Sequence, residues 1–268
     1  METKQTVPIL VISLAGEEER RKRVRKQIEA LGLVFEFFPA VDGRKLNPMA
    51  SPAYDSVRRR RAFGRDLTGG EIGCLLSHRA IYEKMVAEAL DEVLVLEDDA
   101  ILGPDFPSVL AALQRRPVPY DMIRFFGDPK IAQLPQRYLC PLVGDYRLSR
   151  LATTPGGAQA YLIRLQGAKK LLPFMQRNWL PVDILMGRSW EHGLQWFTVQ
   201  PSPSDYDRTL ESAIGNTRFD KSLALGGAER LIYPITRALH KMSEGIGKRS
   251  FYWSKWPADR RYSRTLRS

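Results

Sequence analysis

The sequence predicts an α/β fold in which helices flank a doubly wound mixed sheet, followed by a basic C-terminal extension of helical or irregular structure. Three observations near the N-terminus support this prediction. Residues 8–14 (PILVISL) form a continuous apolar run, typical of a strand buried on both faces. Helical spacing of Val24, Ile28 and Leu31 follows, and residues 34–43 (VFEFFPAVDG) read as a second strand ending in an Asp-Gly turn. Strand, helix and strand open a doubly wound sheet, whose ligands bind beyond the carboxyl ends of the strands.

The remaining elements follow in order along the chain. Residues 56–66 (SVRRRRAFGRD) are expected to form a basic loop. Thr68 and Glu71 have the spacing of a capping box and open a helix with one apolar stripe, which leads to a buried strand at 93–96 (VLVL). Further elements are predicted as strands at 120–127 and 160–163, a helix from 166, a turn with a short helix at 181–193, and a strand within 194–204.

Composition describes a globular chain with an uneven charge. The 268 residues are 44% hydrophobic and 26% charged, which excludes a disordered chain. We divide them into an α/β domain at 1–220 and a basic, aromatic-rich extension at 221–268. The extension holds eleven Lys or Arg and three Asp or Glu, so it contributes +8 of the net charge of +11. Such a charge indicates anionic partners: nucleic acid, a membrane surface, a nucleotide or a phosphorylated glycolipid.

Several classes of protein are disfavoured. The chain has no run of the ~20 apolar residues that a membrane-spanning helix needs, and its N-terminal apolar run is short for a signal peptide, so we expect a cytoplasmic location. Cys74 and Cys140 lie far apart without metal-type spacing, which argues against a disulfide scaffold and a zinc site. We find no nucleic-acid-binding motif, and charge alone is nonspecific, so nucleic acid is not an expected partner.

Three acids follow the buried strand at 93–96 directly. Alternation along a strand would send Glu97 and Asp99 to one side and Asp98 to the other. Two carboxylates that share an apolar setting repel each other, and desolvation penalises each of them. A divalent cation removes both penalties, and Mg²⁺ or Mn²⁺ prefers such oxygen ligands. The alternative is structural: an acidic turn, or Asp99 as the N-cap of a following helix.

The sequence resembles glycosyltransferase family 25, the lipooligosaccharide-biosynthesis glycosyltransferases of Gram-negative bacteria, which are similar to the glycosyltransferase domains of collagen galactosyltransferases. The matching stretches lie in the family's order and cover most of residues 7–214. They are VISLAGEEERRKRVRKQIEALGLVFEFFPAVDGRKL, LTGGEIGCLLSHRAIYEKMV, VLVLEDDAIL, GGAQAYLIRLQGAKKLL, PVDILM and ESAI.

This resemblance implies a GT-A-like fold, a nucleotide-sugar donor that is commonly UDP-galactose, and transfer with inversion. It also implies a divalent metal, Mn²⁺ or Mg²⁺, held by an Asp-X-Asp-like motif. Glu97-Asp98-Asp99 stands where that motif stands, with Glu in the first position. We therefore expect Asp99 to be the direct metal ligand, with Glu97 either a second ligand or a contact to water or ribose.

Inverting transfer needs a base that takes the proton of the acceptor hydroxyl. Asp183, in the matched PVD stretch, is the first candidate, and a helix N-cap is its alternative role. Glu191 and His192 are rival bases. A bound metal acts as a Lewis acid on the departing diphosphate.

Other matched positions are candidates for the donor site, each with a structural alternative. Asp42 also suits an ordinary turn, and His78 also suits a buried structural histidine. Outside the matched stretches, Arg58 to Arg61 suit either a solvated loop or a clamp for the phosphates of an acceptor glycolipid. Arginines 20, 21 and 23 are as consistent with a solvated helix face. The expected donor-binding residues are Ser13, Leu14, Asp42, Gly43, His78, Glu97, Asp98, Thr154 and Gly157.

We therefore expect a metal-dependent inverting glycosyltransferase that moves a hexose, galactose favoured, from a UDP-sugar to a lipooligosaccharide or lipopolysaccharide core acceptor. The alternatives are a nucleotidyltransferase, which also uses strand-end acids and metal, and a basic nucleic-acid-binding protein. Lys and Arg combine with aromatic residues at 248–268, which favours attachment to the anionic cytosolic face of the inner membrane. The alternative is that this segment folds back on the domain.

Overall fold

The computed structural model describes residues 7–115, 118–209 and 225–265. Its centre is an eight-stranded mixed sheet with the order β2-β1-β3-β8-β5-β9-β7-β6, and β4 and β10 form a separate antiparallel pair. The strands are β1 Ile9–Ser13, β2 Glu36–Pro39, β3 Glu92–Glu97, β4 Ala100–Leu102, β5 Met122–Arg124, β6 Gln136–Pro141, β7 Arg147–Leu151, β8 Ala160–Arg164, β9 Trp196–Gln200 and β10 Ser204–Tyr206.

Helices cover both faces of this sheet, as the predicted α/β class requires, and that prediction is confirmed. The helices are α1 Glu18–Ala30, α2 Ser56–Phe63, α3 Gly69–Ala87, α4 Phe106–Arg115, α5 Leu165–Met175, α6 Val182–Gly187, α7 Ser189–His192, α8 Gly227–Ser254 and α9 Trp256–Thr265.

The apolar run of β1 is explained by burial on both faces. Leu10 and Ile12 join the core with α3 and α5, whereas Ile9 and Val11 join the core with α1 and α4. Each side chain of this size stabilises the fold by ~1.5–3 kcal/mol when it is fully buried. Strand β1 also pairs in parallel with both β2 and β3, so the carboxyl ends of these three strands meet at one edge of the sheet.

The N-terminus of α3 fixes the loop that follows β2. The predicted capping box is present, because Thr68 Oγ1 accepts a hydrogen bond from the Glu71 amide at 3.1 Å and Glu71 Oε2 accepts one from the Thr68 amide at 2.8 Å. Gly43 lies so close to this end of the helix that a Cβ on it would be 2.2 Å from the Gly69 carbonyl oxygen. The glycines allow the loop and the helix to meet backbone to backbone.

Two sequence expectations differ from the structure. The basic stretch is not a loop but helix α2, capped by the Asp55 side chain and ended by Gly64 in the left-handed conformation. Arg59 is buried with its guanidinium 4.1 Å from the centroid of the Phe63 ring, so a charged side chain here serves as core packing. The antiparallel pair β6 and β7 was not predicted.

The C-terminal extension is helical in the part that the structure describes. Helix α8 packs on α2 and α7, and α9 packs on the edge strand β6. The buried carboxylate of Asp259 accepts hydrogen bonds from Arg150 Nε at 2.9 Å and from Arg137. The boundary at 220/221 and the matched stretch ESAI at 211–214 lie outside the described residues. Within the described residues, we find no helix with enough length and apolar character to cross a membrane.

Candidate functional site

A cleft of about 730 Å³, including the part open to solvent, lies at the carboxyl ends of β1, β2 and β3. It brings together eight of the residues predicted to bind donor or metal. These residues are Ser13, Leu14, Asp42, Gly43, His78, Glu97, Asp98 and Asp99.

The three acids all line this cleft, which corrects the expected alternation. Strand β3 ends at Glu97 and residues 98–99 form a turn that leads into β4, so side-chain alternation stops at Glu97. Asp99 precedes a strand and therefore is not a helix N-cap. The acidic-turn alternative describes the backbone correctly, but the turn is directed into the cleft.

Glu97 is held by a buried chain of polar groups from α3 and β8. Its Oε1 lies 3.2 Å from His78 Nε2, and His78 Nδ1 lies 2.7 Å from the Tyr161 hydroxyl. The Tyr82 hydroxyl donates to the Tyr161 oxygen at 3.1 Å. In that arrangement Tyr161 donates its own proton to Nδ1, which leaves Nε2–H to donate to Glu97. His78, fully buried, thus positions the carboxylate.

Asp98 connects the acids to the first strand and helix. Its carboxylate accepts hydrogen bonds from Ser13 Oγ at 2.8 Å and from Arg20 Nη1 at 3.2 Å. Burial raises the pKa of Asp98, and the bonds from Ser13 and Arg20 oppose that increase. Asp98 therefore has its partners within the protein.

Asp99 differs, because its Oδ1 is buried and accepts no hydrogen bond among the described residues. Burial, and then the charges of Glu97 and Asp98, raise the pKa of Asp99 to about 7. An ionised Asp99 is thus costly in the protein alone, and a divalent cation would relieve that cost. The donor set at Asp99 and Glu97 therefore fits Mg²⁺ or Mn²⁺.

A second set of potential ligand atoms belongs to Cys74, His78 and Glu97, which lie within 4.8 Å of one another. Burial, with the neighbouring carboxylates adding to it, raises the pKa of the Cys74 thiol well above its usual value. Because the thiolate is the form that binds metal, an uncharged Cys74 is a weak ligand. The oxygen ligands of the acidic turn suit a hard cation better.

Asp183 lies in the first turn of α6 and is not among the residues that line the cleft, although its charge contributes to the raised pKa of Cys74, which lines it. It is not the N-cap, a position that Pro181 occupies. Instead, its Oδ2 accepts a hydrogen bond from the Gly157 amide at 2.8 Å, and its Oδ1 accepts one from the Ile184 amide at 2.8 Å. The carboxylate thereby joins the loop before β8 to the helix.

Arg124 supports this junction and was not predicted from the sequence. It is fully buried on β5, and its Nη2 donates to the carbonyl oxygens of Gly157 at 2.6 Å, Asp183 at 3.2 Å and Pro155 at 3.3 Å. Burial lowers the pKa of Arg124 to about 10, and the charge of Asp183 opposes that decrease. The one available signal was a charged residue inside an apolar strand.

The rival bases Glu191 and His192 do not line the cleft. Glu191 Oε1 accepts a hydrogen bond from Arg188 Nη2 at 2.7 Å. His192 is buried, with Nε2 2.9 Å from the Leu185 carbonyl oxygen and Nδ1 accepting from the Leu194 amide at 3.2 Å. Burial lowers the pKa of His192 to about 4. Both ring nitrogens are thus used in holding the local chain.

Thr154 and Gly157 also lie outside the cleft of the acids. Thr154 lines a second crevice of about 310 Å³ with residues of α7 and α8, among them Trp190, Lys248 and Tyr252. Gly157 has φ +110°, a conformation that favours glycine, and its amide is occupied by Asp183. A role for either residue in donor binding stays a prediction.

Residues 6–186 match the family model described as Glycosyltransferase family 25 (LPS biosynthesis protein). Curated relatives named "Glycosyltransferase 25 family member" include a protein of Aedes aegypti, 39% identical over 61% of this chain and 27% of its own length. Another, from Drosophila pseudoobscura pseudoobscura, is 36% identical over 87% of this chain and 36% of its own length. The chain thus spans about a third of the length of these relatives.

Not every relative is named as an active enzyme. The Homo sapiens "Inactive glycosyltransferase 25 family member 3" is 30% identical over 74% of this chain and 37% of its own length. A solved structure of "a glycosyltransferase involved in the glycosylation of the major capsid of PBCV-1" aligns with 87% of this chain and 98% of its own, at 11% identity and a TM-score of 0.38. The family model covers most of the α/β domain, including the acidic turn and Asp183. This chain therefore belongs to glycosyltransferase family 25.

Proposed function

We propose that this protein is a metal-dependent inverting glycosyltransferase that moves a hexose, galactose favoured, from a UDP-sugar to a lipooligosaccharide or lipopolysaccharide core acceptor. The observation that carries the proposal is the buried Asp99 oxygen without a hydrogen bond among the described residues, in a turn of three acids, at the carboxyl edge of three parallel strands. Ligands of α/β sheets bind at this edge.

The nucleotide of the donor occupies the cleft beside the ends of β1 and β2. Ser13, Leu14, Asp42 and Gly43 form that wall. Arg20, already bound to Asp98, lines the same cleft and adds a positive charge near the diphosphate. Asp99 and Glu97 would hold Mn²⁺ or Mg²⁺. When bound, this cation stabilises the negative charge that develops on the departing diphosphate.

Asp183 acts as the base on the acceptor. Its carboxylate takes the proton of the acceptor hydroxyl as that oxygen forms a bond to the anomeric carbon and the bond from this carbon to UDP breaks. One in-line displacement of this kind inverts the anomeric centre. Hydrogen bonds from the Gly157 and Ile184 amides hold the carboxylate in one orientation. The charge of Asp183 acts on Cys74, which lines the cleft, and this supports the assignment over Glu191 and His192.

The acceptor assignment rests on the family's description as lipopolysaccharide biosynthesis proteins and on the charge of +11. A phosphorylated glycolipid core is a suitable anionic partner for such a chain. Thr153 and Thr154, which line the second crevice, belong to the same loop before β8 that Asp183 holds through Gly157, so this crevice is our candidate for the acceptor side.

A donor screen tests the proposal directly. The purified chain is incubated with UDP-sugars, with and without Mn²⁺, in the presence of intact or delipidated acceptor, and released UDP is measured. We expect UDP release from one UDP-hexose that requires both metal and acceptor. Pyrophosphate release would identify a nucleotidyltransferase instead. No binding of any UDP-sugar by calorimetry, together with salt-sensitive DNA binding, would overturn the proposal in favour of a nucleic-acid-binding protein.

A further inference from the structure

Helix α8 directs its apolar residues away from the protein. Seven large side chains recur at helical spacing along one side of it, and they are between 42 and 79% exposed. We call this set the outer stripe: Leu231, Ile232, Ile235, Leu239, Met242, Ile246 and Trp253. At 1.5 Å per residue the outer stripe is about 33 Å long.

The opposite side of α8 carries polar groups and is the side that contacts the domain. Thr236 Oγ1 donates to the Arg61 carbonyl oxygen at 2.6 Å, and Arg237 Nη1 donates to the Ala62 carbonyl oxygen at 2.8 Å. The ring centroid of His240 lies 5.2 Å from that of Trp179. These contacts fix the rotation of the helix about its axis. The orientation is therefore the reverse of an ordinary surface helix, whose apolar stripe faces the core.

Charges around the outer stripe select the class of partner. Residues 225–265 contain nine Lys or Arg and three Asp or Glu. Two of the three acids are engaged within the protein, since Glu244 pairs with Lys248 and Asp259 pairs with Arg150. By sequence, residues 225–265 therefore carry a net charge of +6, and Arg249 is exposed beside the outer stripe. Two copies of this surface would repel each other, whereas anionic headgroups around an apolar layer match both features.

We propose that the outer stripe of α8 lies in the interface of an anionic lipid bilayer, parallel to the membrane plane. Trp253 near the end of α8 and Trp256 at the start of α9 are exposed and suit the headgroup level, where Trp is favoured. Lys248 and Tyr252 of this helix also line the crevice that contains Thr154. If that crevice receives a lipid-anchored acceptor, a step that rests on the proposed function, docking places the crevice beside the lipid surface. Lipid binding itself does not depend on that function.

Co-sedimentation with vesicles tests the proposal, with phosphatidylglycerol/phosphatidylcholine vesicles compared with phosphatidylcholine alone at low and high salt. The test variant replaces Ile235, Leu239 and Ile246 by Gln, which keeps the helix propensity and the charge. The matched control is Val34→Gln, which changes an apolar residue of the α/β domain that is 74% exposed. We expect salt-sensitive binding to anionic vesicles only, unchanged in the control and weakened at least ~10-fold in the triple variant, since three apolar side chains no longer enter the bilayer.

Thermal unfolding separates docking from folding, because substitution of exposed side chains should leave the Tm of the triple variant unchanged. Equal vesicle binding by wild type and triple variant would overturn the proposal, as would absence of binding to anionic vesicles at low salt. A wild-type dimer in sedimentation velocity that becomes monomeric in the triple variant, without vesicle binding by either, would assign the outer stripe to a protein partner. Because these measurements use no sugar nucleotide, they are independent of the outcome of the donor screen.

Discussion

Asp99 is the proposed metal ligand, and its buried carboxylate has the raised pKa described above. Asp99→Asn removes the anionic ligand but keeps the shape of the side chain, so we expect transfer to be lost while the fold is retained. Mn²⁺ should raise the Tm of the wild type and have little effect on the variant, because a cation stabilises the folded state only where it binds. Differential scanning fluorimetry with and without Mn²⁺ measures this independently of activity.

Glu97→Gln is compared with Asp99→Asn, because we expect the two substitutions to differ in the size of their effect. An amide at Glu97 still has an oxygen that can accept a hydrogen bond from His78, and Asp99 remains as a ligand, so the loss of UDP release should be smaller than with Asp99→Asn. Wild-type rates for Asp99→Asn at limiting metal would show that Asp99 does not hold the cation.

The role of Asp183 as the base is tested by measuring kcat and donor affinity separately. Asp183→Asn should lower kcat by ~10²-fold or more and leave donor affinity little changed, since a base acts on the acceptor proton. Circular dichroism checks the loop and helix that its hydrogen bonds join. A collapse of donor affinity would make Asp183 a pocket or structural residue, and an unchanged kcat would show that Asp183 is not the base.

The buried ring of His192 should make the stability of the protein depend on pH in the acid range. Its pKa is about 4 in the folded protein, below the ordinary value of 6.5, because burial disfavours the charged ring. Between pH 4 and 6.5 the unfolded chain binds more protons at this residue than the folded protein does. The contribution of the neutral, buried His192 to the free energy of unfolding is therefore complete above about pH 6.5 and is lost as the pH falls through 4. The lost contribution is on the order of 3 kcal/mol.

Urea unfolding at several pH values measures that contribution. We expect the free energy of unfolding to fall less steeply between pH 6.5 and 4 in His192→Gln than in the wild type, even if the variant is less stable at neutral pH. Identical slopes for the two proteins would mean that His192 is not the buried neutral ring described above.

At the scale of elements, the sequence predicts best where the pattern is local. The apolar run of β1 and the capping box of α3 each specify their element within a few residues, and both are present. The carboxyl ends of β1, β2 and β3 could likewise be expected to gather the donor and metal candidates. Helix α2 was not predicted because four consecutive arginines resemble a solvated loop until Phe63 and Trp179 are known to stack on them.

Parts of the site could not be predicted because they depend on contacts between residues that are distant in sequence. Arg124 is held by carbonyl groups of residues that are distant in sequence, and nothing near β5 indicates them. The bend after Glu97, which turns all three acids into one cleft, depends on the pairing of β4 with β10 about a hundred residues later. Contacts between distant parts of the chain leave no local pattern.

The attachment of α9 to the sheet depends on one buried carboxylate. Asp259→Ala leaves Arg150, which is buried on β7, without its main anionic partner, and removal of one member of a buried pair costs ~3–5 kcal/mol. We expect a lower midpoint of urea unfolding and faster proteolytic cleavage within the C-terminal helices. Lys255→Ala is the control, since it removes a charge from the same segment and leaves both members of this pair in place.

At the scale of the whole molecule, the C-terminal helices have two faces with different roles. One face packs on α2, α7 and β6, which agrees with the alternative, given in the sequence analysis, that this segment folds back on the domain. The other carries the outer stripe, which is exposed. Folding back and membrane docking are therefore compatible, and removal of the whole segment cannot distinguish them, because it disturbs both faces at once.

Removal of residues 221–268 should therefore destabilise the domain as well as affect lipid binding. It deprives Arg150 of Asp259 and uncovers the inner contacts of α8, so we expect a loss of at least ~3 kcal/mol, or roughly 6–12 °C in Tm at 2–4 °C per kcal/mol. The triple Gln variant of the outer stripe should keep the wild-type Tm. Comparison of the two proteins by calorimetry and by vesicle co-sedimentation assigns each face its role. A truncated protein with wild-type Tm would mean that the inner face contributes no stability, so the segment would serve the membrane alone.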